Sequence, residues 1–274
     1  MKVVHLSDIH INAHPILDGN PVERFRACMD HVSRHHSDAE IVLISGDLTH
    51  HGLPAAYEKL SDLLGEWDIR PELIIGNHDE RAVFKTAFSD HPTDENGFVQ
   101  FTRRSSQGRF IFLDTCKEGS HAGEMCSQRL SWLRGELESS REKQEAAFLV
   151  MHHNPVDVFV PDADRIGMKQ PEEFHETLRE FNDVIRHIFF GHCHYTLSGN
   201  AFGISMSAPQ STNHPCVPDF SGKPLMGYGG VAPNYGLAFV DEKSIVVHTI
   251  EFLNEDDVIW EETDESGWIV EDKH

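Results

Sequence analysis

The chain opens on Val3-Val4-His5-Leu6-Ser7-Asp8-Ile9-His10, an apolar run that stops at a carboxylate and an imidazole. The same pattern returns four times. Ile41-Val42-Leu43-Ile44 leads into Gly46-Asp47, and Leu73-Ile74-Ile75 leads into Gly76-Asn77-His78-Asp79. Phe148-Leu149-Val150-Met151 leads into His152-His153, and His187-Ile188-Phe189-Phe190 into Gly191-His192-Cys193-His194. Short continuous apolar runs read as strands buried on both faces. Such a strand ends where side chains first meet solvent, and several ends from one sheet can converge on one crevice. The five polar blocks are therefore the place to look for chemistry.

Helical patterns separate these runs. Residues 21–36 begin at Pro21, a favoured first helical position, and Val22, Phe25, Cys28, Met29 and Val32 recur at helical spacing. Residues 54–66 also start at a proline, with Tyr57, Leu60, Leu63 and Leu64 on the apolar face. Residues 127–140 carry Leu130, Leu133 and Leu137, and residues 171–181 form a fourth helix. With Arg109-Phe110-Ile111-Phe112-Leu113 as a further strand, strand and helix alternate, the mark of βαβ units and an α/β class. The end differs. Tyr235 to Val240 and Ser244 to Phe252 read as a strand pair turned at Asp241-Glu242-Lys243, which predicts a second sheet with antiparallel strands. No repeat or low-complexity linker divides the chain, and 274 residues suffice for one sizeable core.

Asp8 and His10 are two apart, so on an extended chain they face the same way, and His192 and His194 obey the same rule. Cys193 then points away from its neighbours. Gly46 and Gly76 permit the backbone bend that presents Asp47 and Asn77 at strand ends. With His152 this makes seven candidate metal ligands: Asp8, His10, Asp47, Asn77, His152, His192 and His194. Seven is too many for one tetrahedral zinc and suits two ions sharing one carboxylate. Carboxylate with imidazole favours Mn or Fe, then Zn or Co, over Ca or Mg, and the lack of thiolate argues against Cu(I) and Fe–S clusters.

The ordered set D-x-H, G-D, G-N-H-[DE], strand-end His and G-H-x-H resembles the calcineurin-like metallophosphoesterases from Lys2 to roughly Phe252, with no departure at any ligand position. Gly46-Asp47-Leu48-Thr49 followed by Gly52-Leu53-Pro54-Ala55-Ala56-Tyr57 is similar to the branch of class III cyclic-nucleotide phosphodiesterases and glycerophosphodiesterases. So are Leu113-Asp114-Thr115 and Met151-His152-His153-Asn154-Pro155, where Asn154 departs from the usual H-H-P-P. The resemblance implies a four-layer α/β/β/α sandwich over residues 1–252, two mostly mixed sheets flanked by helices, with the metal site at strand C-terminal ends. It implies that Asp8, His10 and His194 hold a first ion, that Asn77, His152 and His192 hold a second, and that Asp47 bridges them. Between His152 and His153 the first residue after the strand is taken as the ligand, with His153 beside it. His78 would contact a phosphoryl or leaving-group oxygen, oriented by Asp79.

The implied activity is hydrolysis of small phosphodiesters, cyclic nucleotides (3′,5′ or 2′,3′) first, by in-line attack of a water activated on the two metals. Glycerophosphodiesters and phosphomonoesters are the alternative substrates. A non-catalytic scaffold of the same fold is the alternative of another class, and the complete ligand set counts against it. No G-x-S-x-G elbow, C-x-x-x-x-x-R cradle, G-x-G-x-x-G or P-loop is present, so neither a covalent intermediate nor a nucleotide cofactor is indicated.

A formal charge of −22 opposes binding of a nucleic-acid duplex. Two divalent cations in a pocket would still reverse the field locally for a small anion. Five scattered cysteines without a C-x-x-C pair indicate neither a disulfide framework nor a zinc knuckle. No apolar run approaches the length of a bilayer span, and the N-terminus enters a strand without a signal-peptide pattern, so a cytoplasmic location and no membrane partner are expected. Residues 253–274 are expected as a solvated acidic tail, in which Trp260 and Trp268 could dock on the body or support a homo-oligomer. Residues 207–234, with five Pro and four Gly, are expected as a substrate-facing loop, and residues 14–20 and 156–169 as the rest of the rim. His14, His50, His51, His121 and His214 lie in or near such loops, His35 and His36 end a helix, where a cation favours the dipole, and His31, His175, His187 and His248 read as surface or packing residues.

Overall fold

The computed structural model describes residues 1–17, 19–223, 225–261 and 263. The first half runs β1 (Lys2–Leu6), α1 (Pro21–His35), β2 (Ile41–Ser45), α2 (Pro54–Leu64), β3 (Glu72–Ile74), α3 (Arg81–Ala87), β4 (Phe101–Ser105), β5 (Gly108–Phe112) and a short β6 (Gly123–Glu124). It continues through α4 (Ser127–Glu142), β7 (Ala147–Val150), α5 (Pro161–Arg165), β8 (Met168–Lys169), α6 (Glu172–Glu180) and β9 (Ile185–Phe189). The rest is β10 (Leu197–Ala201), β11 (Ile204–Ala208), β12 (Cys216–Val217), β13 (Gly227–Tyr228), β14 (Asn234–Val240) and β15 (Ile245–Glu251), followed by one helical turn at Glu255–Asp257. The long helices start where sequence predicts. Pro21 and Pro54 occupy first turns, and the Asn20 side chain caps α1 by accepting from the Val22 and Glu23 amides.

Two sheets face each other. In the first, β1, β2 and β3 are parallel, β14 joins β1 antiparallel and β15 joins β14, giving the order β15-β14-β1-β2-β3. The C-terminal hairpin therefore extends the first sheet and does not form a sheet of its own. The free edge of β1 needs cover, and two seven-residue strands supply it without a crossover. The second sheet, in the order β10-β11-β9-β7-β5-β4, is parallel in its middle four strands and antiparallel at both edges.

Alternation along each strand sorts its residues into separate cores. Val3, Ile41, Leu43 and Ile74 point between the sheets and meet Phe110, Phe112, Phe148 and Phe189. Val4, Leu6, Val42 and Ile44 point outward onto Phe25 and Met29 of α1 and Tyr57 and Leu60 of α2. Ile111, Leu149 and Ile188 pack onto Leu130, Leu133 and Leu137 of α4 and Phe174 and Leu178 of α6. The order helix, sheet, sheet, helix is the four-layer sandwich that the family resemblance implied.

Among the described residues, no helix is long and apolar enough to cross a membrane. Phe252 is buried in the core between the first sheet and α1 and α2, and beyond it Glu255 lies against Arg34 and His35 of α1. Trp260 is exposed, while Trp268 lies outside the described residues.

Candidate metal centre

The seven ligand candidates leave the C-terminal ends of β1, β2 and β3 in one sheet and of β7 and β9 in the other. Both sheets thus aim the same kind of edge at one place. Asp8, His10, Asp47 and His194 present ligand atoms within 4.8 Å of one another. His194 Nε2 lies 3.2 Å from His10 Nε2 and 3.2 Å from Asp8 Oδ1. On the far side His152 Nε2 is 3.0 Å from Asn77 Oδ1, and the His192 ring stands 5.1 Å from that of His152. Asp47 sits between the two groups, with Oδ2 3.5 Å from His10 Nε2 and Oδ1 3.4 Å from His152 Nε2.

The backbone reaches this arrangement by strain. Asp8, His10, Asp47, His192 and His194 all have left-handed φ, between 46° and 68°. They are half of the ten described non-glycine residues in that region, where an L-residue costs about 1–2 kcal/mol. The D-x-H and H-x-H segments are therefore not extended, contrary to the reading by strand alternation. Their outer residues still share a direction because the middle residue is anchored elsewhere: Ile9 lies in the core under α1 and α2 and Cys193 in the core under α4 and α6. Gly46 takes φ of 95°, and a Cβ on Gly76 would collide with the Asp47 carboxylate and amide nitrogen.

Hydrogen bonds fix which atoms remain for a cation. His152 Nδ1 donates to Ser45 O at 2.8 Å and His194 Nδ1 to His214 O at 3.1 Å. A carbonyl only accepts, so both rings carry a proton on Nδ1, and Nε2 is the nitrogen left facing the centre. Asn77 Nδ2 donates to His121 Nδ1 at 3.0 Å, which turns Oδ1 toward His152. Asp8 Oδ2 accepts from Ser7 Oγ and the His192 amide. His192 Nε2 is buried and has no hydrogen-bond partner, and buried Asp8 Oδ1 has only His194 Nε2 near it, at 3.2 Å. Orphaned polar atoms at this depth are costly unless something absent from the protein chain satisfies them. Burial and neighbouring imidazoles hold His10 and His192 well below the ordinary histidine range, so both are neutral, the form that binds metal. Burial alone would raise the Asp8 carboxyl, but His194 beside it draws it below the usual range. This donor set fits two transition-metal ions.

His153 uses both ring nitrogens elsewhere, with Nδ1 2.7 Å from Thr115 Oγ1 and Nε2 3.2 Å from His121 O, which supports His152 as the ligand of the pair. His78 Nδ1 donates to His50 O at 2.9 Å, and its amide donates to Asp47 Oδ1 at 2.8 Å. Asp79, which the resemblance placed behind the His78 ring, makes its hydrogen bonds elsewhere. Its carboxylate is consumed by the Leu48, Thr49 and Gly76 amides and by the Thr49 and Tyr57 hydroxyls. It ties the turn after β2 to the turn after β3, and the His50 carbonyl does the orienting.

The loop expectation changes as well. Ser207 and Ala208 belong to β11, and Ser211, Thr212, Asn213 and His214 are buried. Ser211 Oγ donates to Asp8 O at 2.8 Å and the Thr212 amide to Ser7 O at 3.0 Å, so this stretch is a wall of the centre. The cleft of about 310 Å³ beside His78 is lined instead by His50, His51, Asn77, Arg81 and the 116–121 turn with His121. Sequence reasoning missed Ser7 and the carbonyls of Ser45, His50 and His214. His121 had a signal only in its loop position.

A family profile described as calcineurin-like phosphoesterase matches residues 1–196. A probable cyclic nucleotide phosphodiesterase of Rhodopseudomonas palustris is 30% identical over 257 residues, covering 92% of this chain and 93% of the relative. A probable glycerophosphodiester phosphodiesterase of Arcobacter nitrofigilis is 27% identical over 202 residues, covering 71% and 72%. In fold, a dimetal phosphatase from Danio rerio matches with a TM-score of 0.68 at 15% identity, over 92% of this chain and 96% of that one. The sequence match across most of the length, on a fold that brings the five blocks together, shows that the chain belongs to the calcineurin-like phosphoesterase family.

Proposed function

We propose that this chain hydrolyses small phosphodiesters at two transition-metal ions, with cyclic nucleotides as the leading substrates. The observation that carries this reading is Asp47, whose two oxygens face His10 on one side and His152 on the other. That is the posture of a carboxylate shared by two cations. Asp8, His10 and His194 would hold the first ion, and Asn77, His152 and His192 the second, with Mn or Fe favoured by the oxygen and imidazole donors. When bound, such a pair supplies positive charge against the phosphoryl oxygens and lowers the pKa of the attacking water.

The remaining work falls to side chains. The His50 carbonyl holds the Nδ1 proton of His78, so Nε2 is the atom from which a proton would pass to the departing alkoxide. Asp79 keeps the turns after β2 and β3 in register, which preserves the hydrogen bond from the His78 amide to Asp47. His121 keeps Asn77 turned toward His152. Such outer partners typically set about 10–100-fold of metal affinity or activity.

The Rhodopseudomonas relative supports cyclic nucleotides, and the Arcobacter relative favours glycerophosphodiesters as the second reading. Values of kcat/KM for a 3′,5′-cyclic nucleotide, a 2′,3′-cyclic nucleotide, a glycerophosphodiester and an aryl phosphomonoester separate them. The Mn-loaded chain is expected to prefer a cyclic nucleotide over the monoester by at least about 10-fold. A leading glycerophosphodiester would establish the second reading, and a leading monoester would overturn both.

A further inference from the structure

We propose that His31, His35 and Glu255 form a separate metal site that takes one zinc ion and fastens the C-terminal segment to α1. None of the three belongs to the centre described above. His31 and His35 are four residues apart on α1 and share one face of that helix. This is the spacing at which two helical histidines bind one zinc. Their ring centroids are 4.5 Å apart. The chain returns after β15 in a single helical turn, Glu255–Asp257, and lays the Glu255 carboxylate on the same face. Oε1 is 2.5 Å from His35 Nε2, and Oε2 is 4.0 Å from His31 Nε2. Ligand atoms of all three lie within 4.8 Å of one another. A tetrahedral zinc with ordinary bond lengths sets its ligands about 3.4 Å apart, between those two observed distances.

The surroundings favour the same assignment. His31 Nδ1 is 2.9 Å from Tyr235 Oη in β14, and a hydroxyl that takes the Nδ1 proton leaves the lone pair on Nε2, facing Glu255. Arg34 Nη1 donates to Glu255 Oε2 at 2.8 Å, which orients the carboxylate and turns Oε1 toward His35. A hydrogen-bonded imidazole and a hydrogen-bonded carboxylate are what metal ligands usually show around them. Two imidazoles and one carboxylate suit zinc, with the fourth position open to water on the solvent side, where His35 and Glu255 are partly exposed. The competing account is a plain ion pair, in which a protonated His35 and Arg34 share Glu255 and no metal enters.

Zinc per chain separates the two. The full-length protein, His35→Gln and Glu255→Gln would be equilibrated at the same micromolar free zinc, desalted and measured by inductively coupled plasma mass spectrometry. Each variant is expected to retain one zinc fewer per chain than the wild type, with phosphodiesterase activity unchanged and matching circular-dichroism melts showing that all three fold. Equal zinc content in the three proteins would overturn the site. The comparison is a difference between proteins with the same central ligands, so it stands or falls separately from the phosphodiesterase reading.

Discussion

Replacing Asp47 by Asn is expected to lower phosphodiesterase activity by more than about 100-fold, beyond what the loss of an outer partner of a metal ligand costs. The amide keeps the shape of the side chain and can still accept from the His78 amide, so the turn that carries Asp47 should hold. What disappears is the one charge that faces both halves of the centre. Asp47 is almost fully buried, and on the first side only Asp8 would then offset the charge of a cation held by His10 and His194. A second cation brought up against the first would lack the anion that screens their repulsion, which is about 332/(εr) kcal/mol for unit charges and four times that for divalent ions. Metal content should therefore fall together with kcat. A variant that keeps its full metal content and its activity would show that Asp47 does not bridge.

The second large effect is expected at His78. His78→Asn should lower kcat on a cyclic nucleotide by about 10²–10⁴-fold, the range of a lost general acid, with the metal content unchanged. The ring touches none of the atoms that define the two ligand groups through its own nitrogens. Its Nδ1 is held by His50 O, and only its backbone amide reaches Asp47. The loss should shrink sharply on a diester whose leaving group is a nitrophenolate, because that oxygen departs without a proton. If both substrates lose activity equally, His78 acts on a phosphoryl oxygen instead of the leaving group.

The two predictions rest on residues that were legible in the sequence for one physical reason. β1, β2, β7 and β9 are buried on both faces, so each is written as an unbroken apolar run, and the first polar residue after it stands out. The edge strands of the second sheet carry no such run. β4 reads Phe-Thr-Arg-Arg-Ser with its middle three residues exposed, and β10 reads Leu-Ser-Gly-Asn-Ala, so neither shows in the pattern. The helix α3 has seven residues and buries only Phe84, too little for a period to register. The partner sheet of the C-terminal hairpin was also beyond reach, since its two strands are evident locally but their attachment to β1 is a contact across more than 230 residues.

Within the centre the divide is similar. Side chains that would face a metal are visible because their chemistry is unusual at a strand end. The carbonyls of Ser45, His50 and His214, which decide which nitrogen of each imidazole is free, have no signature in residue type. Asp79 shows the limit most clearly. The family resemblance implied a role on the His78 ring, whereas five donors from the Leu48, Thr49, Gly76 and Tyr57 neighbourhood hold it in place.

The central claim is a pair of ions astride Asp47, and anomalous X-ray scattering from crystals grown with Mn(II) tests it most directly. The expected map has two anomalous peaks in the centre, one among Asp8, His10 and His194 and the other among Asn77, His152 and His192, with a carboxylate oxygen of Asp47 against each. A single peak on one side of Asp47, or none there, would contradict the account.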